Sequence, residues 1–425
     1  MVYAGSNCPS FEQARDFLYH LAEIDLDVKM VRRATQRIGE ERLAQRDFLV
    51  QRWDELPLVD KGRLPGTFAA QAADLAVIMT DGGRVQILPD EENNDLAEGK
   101  TPQSGSTPNG PDARAERADG QRRGRFWREN KVAALMQMSS EVRQSDPCPE
   151  LPEVFSDPLV VLKLAREVGH AEAIPEAETF QSSGSQQDQQ QAEQVEQPPE
   201  QKQRRPGSPE VLSKRVLATR QDNDAFGPMV AALAWSLGLM AAVRGAFVAD
   251  GAEGNWSLQK KYFPRFTAIV DFIHVLSYVF AAAMAGRSFA QGWPVYQQWI
   301  AWVWRGEVEQ VLEAMQQRLG ELAVGSKEAE SVGKSLGYLE GQKGRMNYAE
   351  YRKAGLPIMS SVMESTVKQV GRRVKGTEKF WSEEGVEAVM QLRADYLSDD
   401  EPMEQFWQQR AGRMTGQRSY KRLSA

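Results

Sequence analysis

Three short apolar runs that each stop on an aspartate constrain this chain most. They are AVIMT ahead of Asp81, AFVA ahead of Asp250 and TAIV ahead of Asp271. Brief apolar runs closed by turn-forming residues read as strands buried on both faces of a sheet. A strand that ends on a carboxylate carries a negative charge to the rim of its sheet, and neighbouring strands of this kind gather several charges there. KVAALMQM (131–138) is a further strand candidate, and RVQIL (84–88) is β-like beyond Asp81-Gly82-Gly83. Asp81-Gly82 between two such runs also fits a hairpin turn.

Helical periodicity surrounds these runs. FEQARDFLYHLAEI places Phe11, Ala14, Phe17, Leu18 and Leu21 at helical spacing, and VKMVRRATQRIGEERLAQR resumes after a break at Asp25-Leu26-Asp27. With Lys29, Arg32, Arg33 and Arg37 on the second segment, the pair reads either as a helical hairpin packed on the core or as a helix-turn-helix. The most apolar stretches, MVAALAWSLGLMAAV (229–243) and VLSYVFAAAMAG (275–286), fall short of the ~20 apolar residues of a membrane span. They read as buried helices, with no membrane partner. The expected architecture is α/β: a mixed sheet covered by helices, with an N-terminal helical region over residues 1–70 and a larger domain over 71–425. A Trp-rich helical insertion over 293–345 falls inside that domain.

The net charge of −7 argues against a nucleic-acid partner only until it is mapped. Residues 90–99 carry five acids and no base, and residues 168–200 carry seven acids and no base. Those twelve charges outweigh the total, which leaves the rest of the chain at about +5. Residues 90–125, and the Gln-rich stretch within 178–215, have too few apolar groups to offset ordering and are expected to be disordered loops. Two cysteines, Cys8 and Cys148, suggest neither a disulfide framework nor a multi-cysteine zinc site. The start of the chain has no signal-like apolar run, and the expected compartment is the cytoplasm.

Asp81, Asp250 and Glu364 are the carboxylates that could meet at one end of such a sheet, the last from a helix start. Hard divalent cations take carboxylate, phosphate and water oxygens. Two of them, roughly 3.5–4 Å apart, can activate a water and stabilise the oxygen leaving a phosphodiester. Each carboxylate also has a purely structural reading. Asp81-Gly82 and Asp250-Gly251 are turn pairs, and Ser361-x-x-Glu364 is a capping box. Glu364, Lys368, Arg372, Lys375 and Lys379 fall on one helical face, and residues 343–379 hold nine bases, Arg373 among them, against three acids. A carboxylate leading a basic row fits an acid on a metal with the row along DNA phosphates; a solvated basic face is the plain alternative.

The chain from Asp81 onward resembles bacterial insertion-sequence transposases of the DDE class. It looks closest to the Kra-type family of the Mutator-like superfamily. The segments that carry the resemblance include TDGGRVQ (80–86), DPCPE (146–150), DAFGPMVAALAW (224–235), FVADGAEGNW (247–256), WIAWVWRGEV (299–308), GLPIMSSVMES (355–365) and VKQVGRRVKGTEKFW (367–381). The resemblance implies a ribonuclease-H-like core, a helical insertion before the third carboxylate, and a metal-binding triad of Asp81, Asp250 and Glu364. It also matches Asp271-Phe-Ile-His274 to a D-x-x-H motif beside the active site. The implied activity is Mg²⁺- or Mn²⁺-dependent cleavage and strand transfer on two ions, with DNA ends and target DNA as partners. Association with the nucleoid and a homodimer or higher multimer are class expectations. Members of that family carry cysteine-bearing segments upstream that have no counterpart here. The competing expectations are therefore a truncated, inactive DNA-binding remnant, or a structure-specific nuclease on the same fold. Among Trp293, Trp299, Trp302 and Trp304, core packing is the expected role for all but at most one.

Overall fold

The computed structural model describes residues 1–65, 73–88, 126–169, 208–376 and 378–413. Helices α1 (Val2–Asn7), α2 (Phe11–Ala22), α3 (Val28–Asp54) and the single turn α4 (Leu58–Lys61) precede the sheet. The body then runs β1 (Leu75–Ile87), β2 (Trp127–Ser139), α5 (Pro158–Glu167), β3 (Glu210–Thr219), α6 (Asn223–Ser236), β4 (Arg244–Ala249), α7 (Glu253–Tyr262), β5 (Thr267–Val270) and α8 (Phe272–Met284). It continues as α9 (Phe289–Arg305), α10 (Val308–Glu321), α11 (Lys327–Gln342), α12 (Tyr348–Lys353), α13 (Ser361–Val374), β6 (Phe380–Trp381), α14 (Glu383–Tyr396) and α15 (Pro402–Arg413).

The architecture is α/β, with a mixed, open six-stranded sheet covered by helices. Its strand order is β3-β2-β1-β4-β5, and β6 pairs the far end of β1. β2 runs antiparallel to both β1 and β3, whereas β4 and β6 are parallel to β1 and β5 is parallel to β4. Leu75, Ala76, Val77, Ile78 and Met79 are all at most 1% exposed, so both faces of β1 are covered. That is why this segment is continuously apolar instead of alternating.

β1 is one strand, not two strands about a turn at Asp81-Gly82. β2 pairs with it from Leu75↔Met138 to Gln86↔Trp127, with Asp81↔Val132, Gly82↔Lys131 and Gly83↔Asn130 in unbroken register. The glycine at 83 answers a different need. A Cβ there would lie 2.8 Å from Oδ1 of buried Asn130, so the partner strand, not a reversal, requires the missing side chain.

β3 corrects a second boundary. It begins at Glu210, inside the stretch expected to be a loop through residue 215. Residues 89–125 and 170–207, which take in the rest of both expected loops, lie outside the described residues. The outer half of β3 is exposed or half-buried and only Val216–Thr219 is buried, so its apolar signal is short.

The N-terminal helices pack on the body. α3 lies along α14 and α6, and Trp53 joins the main core. Arg42 pairs with buried Asp395 at 2.9 Å, and Arg46 with Glu387 at 2.9 Å. Helices α9 to α11 span most of residues 293–345. Trp299 and Trp304 are buried there, and Trp293 stacks on Phe289. Among the described residues, no helix is long and apolar enough to cross a membrane.

Candidate active site

Strand register builds the site. Thr80 of β1 pairs with Ala249 of β4, and Ala249 pairs with Val270 of β5. The next residue on each strand is an aspartate. Asp81, Asp250 and Asp271 therefore stand abreast across three adjacent parallel strands, just past the carboxyl ends of β4 and β5 and midway along β1, which runs on to Ile87. Neighbouring strands lie ~4.8 Å apart, so these charges feel one another. Chain order also switches here. From β1 the chain first continues outward through β2 and β3, then returns to the other side of β1 as β4. In open α/β sheets a crevice at such a switch point is where ligands bind.

Asp81 is half-buried, and its Oδ1 accepts the amide of Gly82 at 2.6 Å. Burial raises its pKa; the Gly82 amide opposes that, and the charges of Asp250 and Asp271 add to it, leaving the carboxyl at about 6. Asp250 is held from several sides. Its Oδ1 accepts from Ala252 N at 3.0 Å and from Asn255 Nδ2 at 2.9 Å. Asn255 in turn accepts from the Thr80 hydroxyl at 3.1 Å, which links the ends of β1 and β4. The Asp250 carbonyl accepts from Tyr338 Oη at 2.6 Å, and the Tyr338 ring stacks on Tyr278 at 3.8 Å. Gly251, at φ 99°, lets the chain turn sharply after the carboxylate. A Cβ there would meet the Tyr338 ring within 2.9 Å.

Asp271 is 1% exposed and fully engaged. Its Oδ2 meets His274 Nδ1 at 2.8 Å, and its Oδ1 accepts Ser360 N at 2.9 Å. Ser360 is the residue just before α13, so Asp271 anchors the helix that carries Glu364. Burial pulls the pKa of His274 down, but the hydrogen bond and charge of Asp271, with Asp250 and Asp81 behind, outweigh it and hold the imidazole above its ordinary value. With Nδ1 committed to Asp271, Nε2 is the nitrogen left for another partner.

Glu364 lies one turn into α13 and is half-buried. The capping box does not form: the N-cap is Ser360, and its side chain makes no cap bond. The pKa of Glu364 is raised by burial, opposed by Lys368 and assisted by Glu167 and Asp271. Asp81, Asp271, His274 and Glu364 share the wall of one cleft of about 600 Å³. Asp250 is not among the residues that line it. Among the described residues, no group of three or more His, Cys, Asp or Glu side chains is arranged as it stands to hold a metal ion.

The basic row behind Glu364 is broken. α13 ends at Val374, and Lys375 is its extended C-cap. Lys379 folds back onto the carbonyls of Arg372 and Arg373 at 3.0 and 3.3 Å, and Lys368 is 3.3 Å from Glu167. Arg373 is 2% exposed. It donates to Gly5 O at 2.9 Å and to Pro9 O at 3.4 Å, and it lies over the rings of Phe11 and Trp381. Arg373 therefore clamps the N-terminal segment and is not available to a phosphate. A row drawn from helical spacing cannot register where the helix stops or what covers one of its members.

Several supporting residues were given no role: Thr80, Asn255 and Asp146, inside quoted segments, and Tyr338 and Arg352, outside them. Arg352 pairs with Asp146 at 2.9 Å through Nε and lies 4.1 Å from the Trp304 ring, fixing the DPCPE segment at the cleft wall. The hint for Asn255 was its place five residues after Asp250, facing back across one turn of α7.

Searches of the sequence against models of known protein families and against curated proteins find no match. What the fold and site define is a class: an α/β protein with a mixed sheet, three aspartates abreast across β1, β4 and β5, and a cleft beside them that also holds a histidine and a glutamate.

Proposed function

We propose that this chain is a DNA transposase of the acidic-triad class, of the insertion-sequence type it resembles, with Asp81, Asp250 and Glu364 on a ribonuclease-H-like core. The observation that carries this reading is the register that sets Asp81 beside Asp250, with the helix of Glu364 tied to the same rim through Asp271. The helical insertion between Asp250 and Glu364 agrees with what the resemblance implies.

The donor set suits Mg²⁺ or Mn²⁺. Carboxylate oxygens are hard ligands, and a cation would offset the burial, and the lesser repulsion from Asp250 and Asp271, that raise Asp81. Asp81 and Asp250 would hold the ions and Glu364 would complete the set, once their side chains turn toward a common point. Bound ions would activate the attacking oxygen and neutralise phosphate charge. Asp250 has Oδ2 to offer, because Oδ1 is occupied by Ala252 and Asn255. Nε2 of His274 would hydrogen-bond a phosphate oxygen, and Asp271 would keep the imidazole aimed. DNA ends and target DNA are the proposed partners, in the cytoplasm at the nucleoid.

The test is Mg²⁺- or Mn²⁺-dependent cleavage and joining of DNA that carries the ends of the encoding element. Asp81→Asn and Asp250→Asn keep the local hydrogen-bond acceptors and should abolish both steps while sparing DNA binding. Normal strand transfer in either variant would sink the assignment. Cleavage without joining by the unmodified chain would instead indicate a structure-specific nuclease, and binding without either step a DNA-binding remnant.

A further inference from the structure

Two cations close to Asp250 have no role in the site above. Lys260, in the last turn of α7, and Arg345, just past α11, line a recess of about 290 Å³ with Gly251, Ser257 and Gln342. Arg345 is fixed in place. Its guanidinium lies 4.5 Å from the Trp256 ring centroid, and Nη1 donates to Gly341 O at 3.2 Å and to Gln342 Oε1 at 3.0 Å. Gln342 donates to Gly251 O at 2.9 Å, so Arg345 is coupled to the turn that follows Asp250.

Other bases within residues 343–379 are committed to acids: Lys343 to Glu309, Arg352 to Asp146, Lys368 to Glu167. Among the described residues, neither Lys260 nor Arg345 is within ion-pair distance of a carboxylate. Glu253 is the acid in the recess wall and leaves it with net positive charge. A planar guanidinium with free N–H groups, an exposed ammonium and the Ser257 hydroxyl together suit a phosphodiester.

We propose that this recess binds a backbone phosphate of the nucleic-acid strand whose reacting bond lies at Asp81 and Asp250. It supplies the phosphate contact that the broken α13 row does not. The inference rests on the polynucleotide reading above.

The experiment is fluorescence anisotropy of the full chain with a short fluorescein-labelled DNA duplex across a salt titration. Lys260→Ala combined with Arg345→Ala should weaken binding about tenfold and lower the log–log salt slope by about 1 per residue removed. Lys260→Arg, which keeps the charge on an exposed side chain, should retain most of the affinity. Lys260→Glu alone, on an exposed side chain, gives the same direction without disturbing the Trp256 contact. Unchanged affinity and slope in both the double alanine variant and Lys260→Glu would overturn the subsite while leaving the polynucleotide reading intact. No duplex binding by the unmodified chain would overturn both.

Discussion

Asp271 accepts the backbone amide of Ser360 at 2.9 Å, across 89 positions of sequence. This bond joins the end of β5 to the start of α13, and so joins the aspartate rim to Glu364. The other Asp271 oxygen holds His274. Asp271→Ala strands a buried amide and an imidazole together and should cost about 3 kcal/mol in urea unfolding. Asp271→Asn keeps an oxygen for Ser360 but removes the charge. The His274 pKa should then fall, because burial remains while the largest raising partner is lost. NMR titration can read this directly, since the chain has three histidines. The sign for stability follows from a raised folded pKa. The contribution of the pair is complete below about pH 6.5 and fades as pH rises through the folded value of His274.

Asp81 predicts the opposite kind of variant. Its folded pKa, about 6, is above the 3.8 of a free carboxyl, so ionising it in place costs free energy. Native stability therefore declines as pH rises from about 4 to about 6 through this group. Asp81→Asn should match the unmodified chain near pH 4 and exceed it above pH 6, by up to about 3 kcal/mol. Melting temperatures at the two pH values check this. Equal melting temperatures above pH 6 would mean that Asp81 is not under the strain described.

Asn255 should govern Asp250 without touching a substrate. Asn255→Ala leaves the buried Thr80 hydroxyl without its acceptor and Asp250 without a donor. The expected effects are a loss of about 1–3 kcal/mol in stability and a ten- to hundredfold loss in Mn²⁺ affinity, roughly as for other outer-sphere partners of metal ligands. Loss of stability with intact Mn²⁺ affinity would reduce Asn255 to a structural role.

Arg373 should matter to folding and not to DNA. Burial lowers its pKa to about 10, yet it remains charged at neutral pH, held by two carbonyls and two aromatic faces. Arg373→Ala should destabilise by about 3 kcal/mol and loosen residues 1–11 to proteolysis. Duplex affinity measured below its melting point should be unchanged. A selective loss of DNA binding would return Arg373 to the phosphate-binding set.

The rim was legible because buried parallel strands leave an unmistakable apolar run, and an acid at the end of each is visible as a break. These runs marked Asp81, Asp250 and Asp271, but Asp81 and Asp250 fitted turns equally well, and it was the resemblance that chose the triad and the Asp271–His274 pair. Misreadings arose where a distant residue decides. Asp81-Gly82-Gly83 has turn composition, yet Asn130 on β2 explains Gly83 and keeps β1 extended. Glu210–Arg215 is largely polar because it forms the outer half of an edge strand, so β3 was taken for loop. Helical spacing carried the basic row past Val374, where the helix stops, and could not reveal that Phe11 and Trp381 enclose Arg373. The links that fix the site, Asp271 to Ser360 and Asn255 to both Thr80 and Asp250, depend on three-dimensional proximity that local patterns do not encode.

The most direct test of the triad is Mn²⁺ binding by isothermal titration, with the fold of each variant checked by circular dichroism. The account predicts that the unmodified chain binds Mn²⁺ at neutral pH and that affinity falls as pH drops through about 6, where Asp81 takes up a proton. It also predicts that Asp81→Asn, Asp250→Asn and Glu364→Gln each lose that binding while staying folded. Mn²⁺ affinity unchanged in all three variants would contradict it.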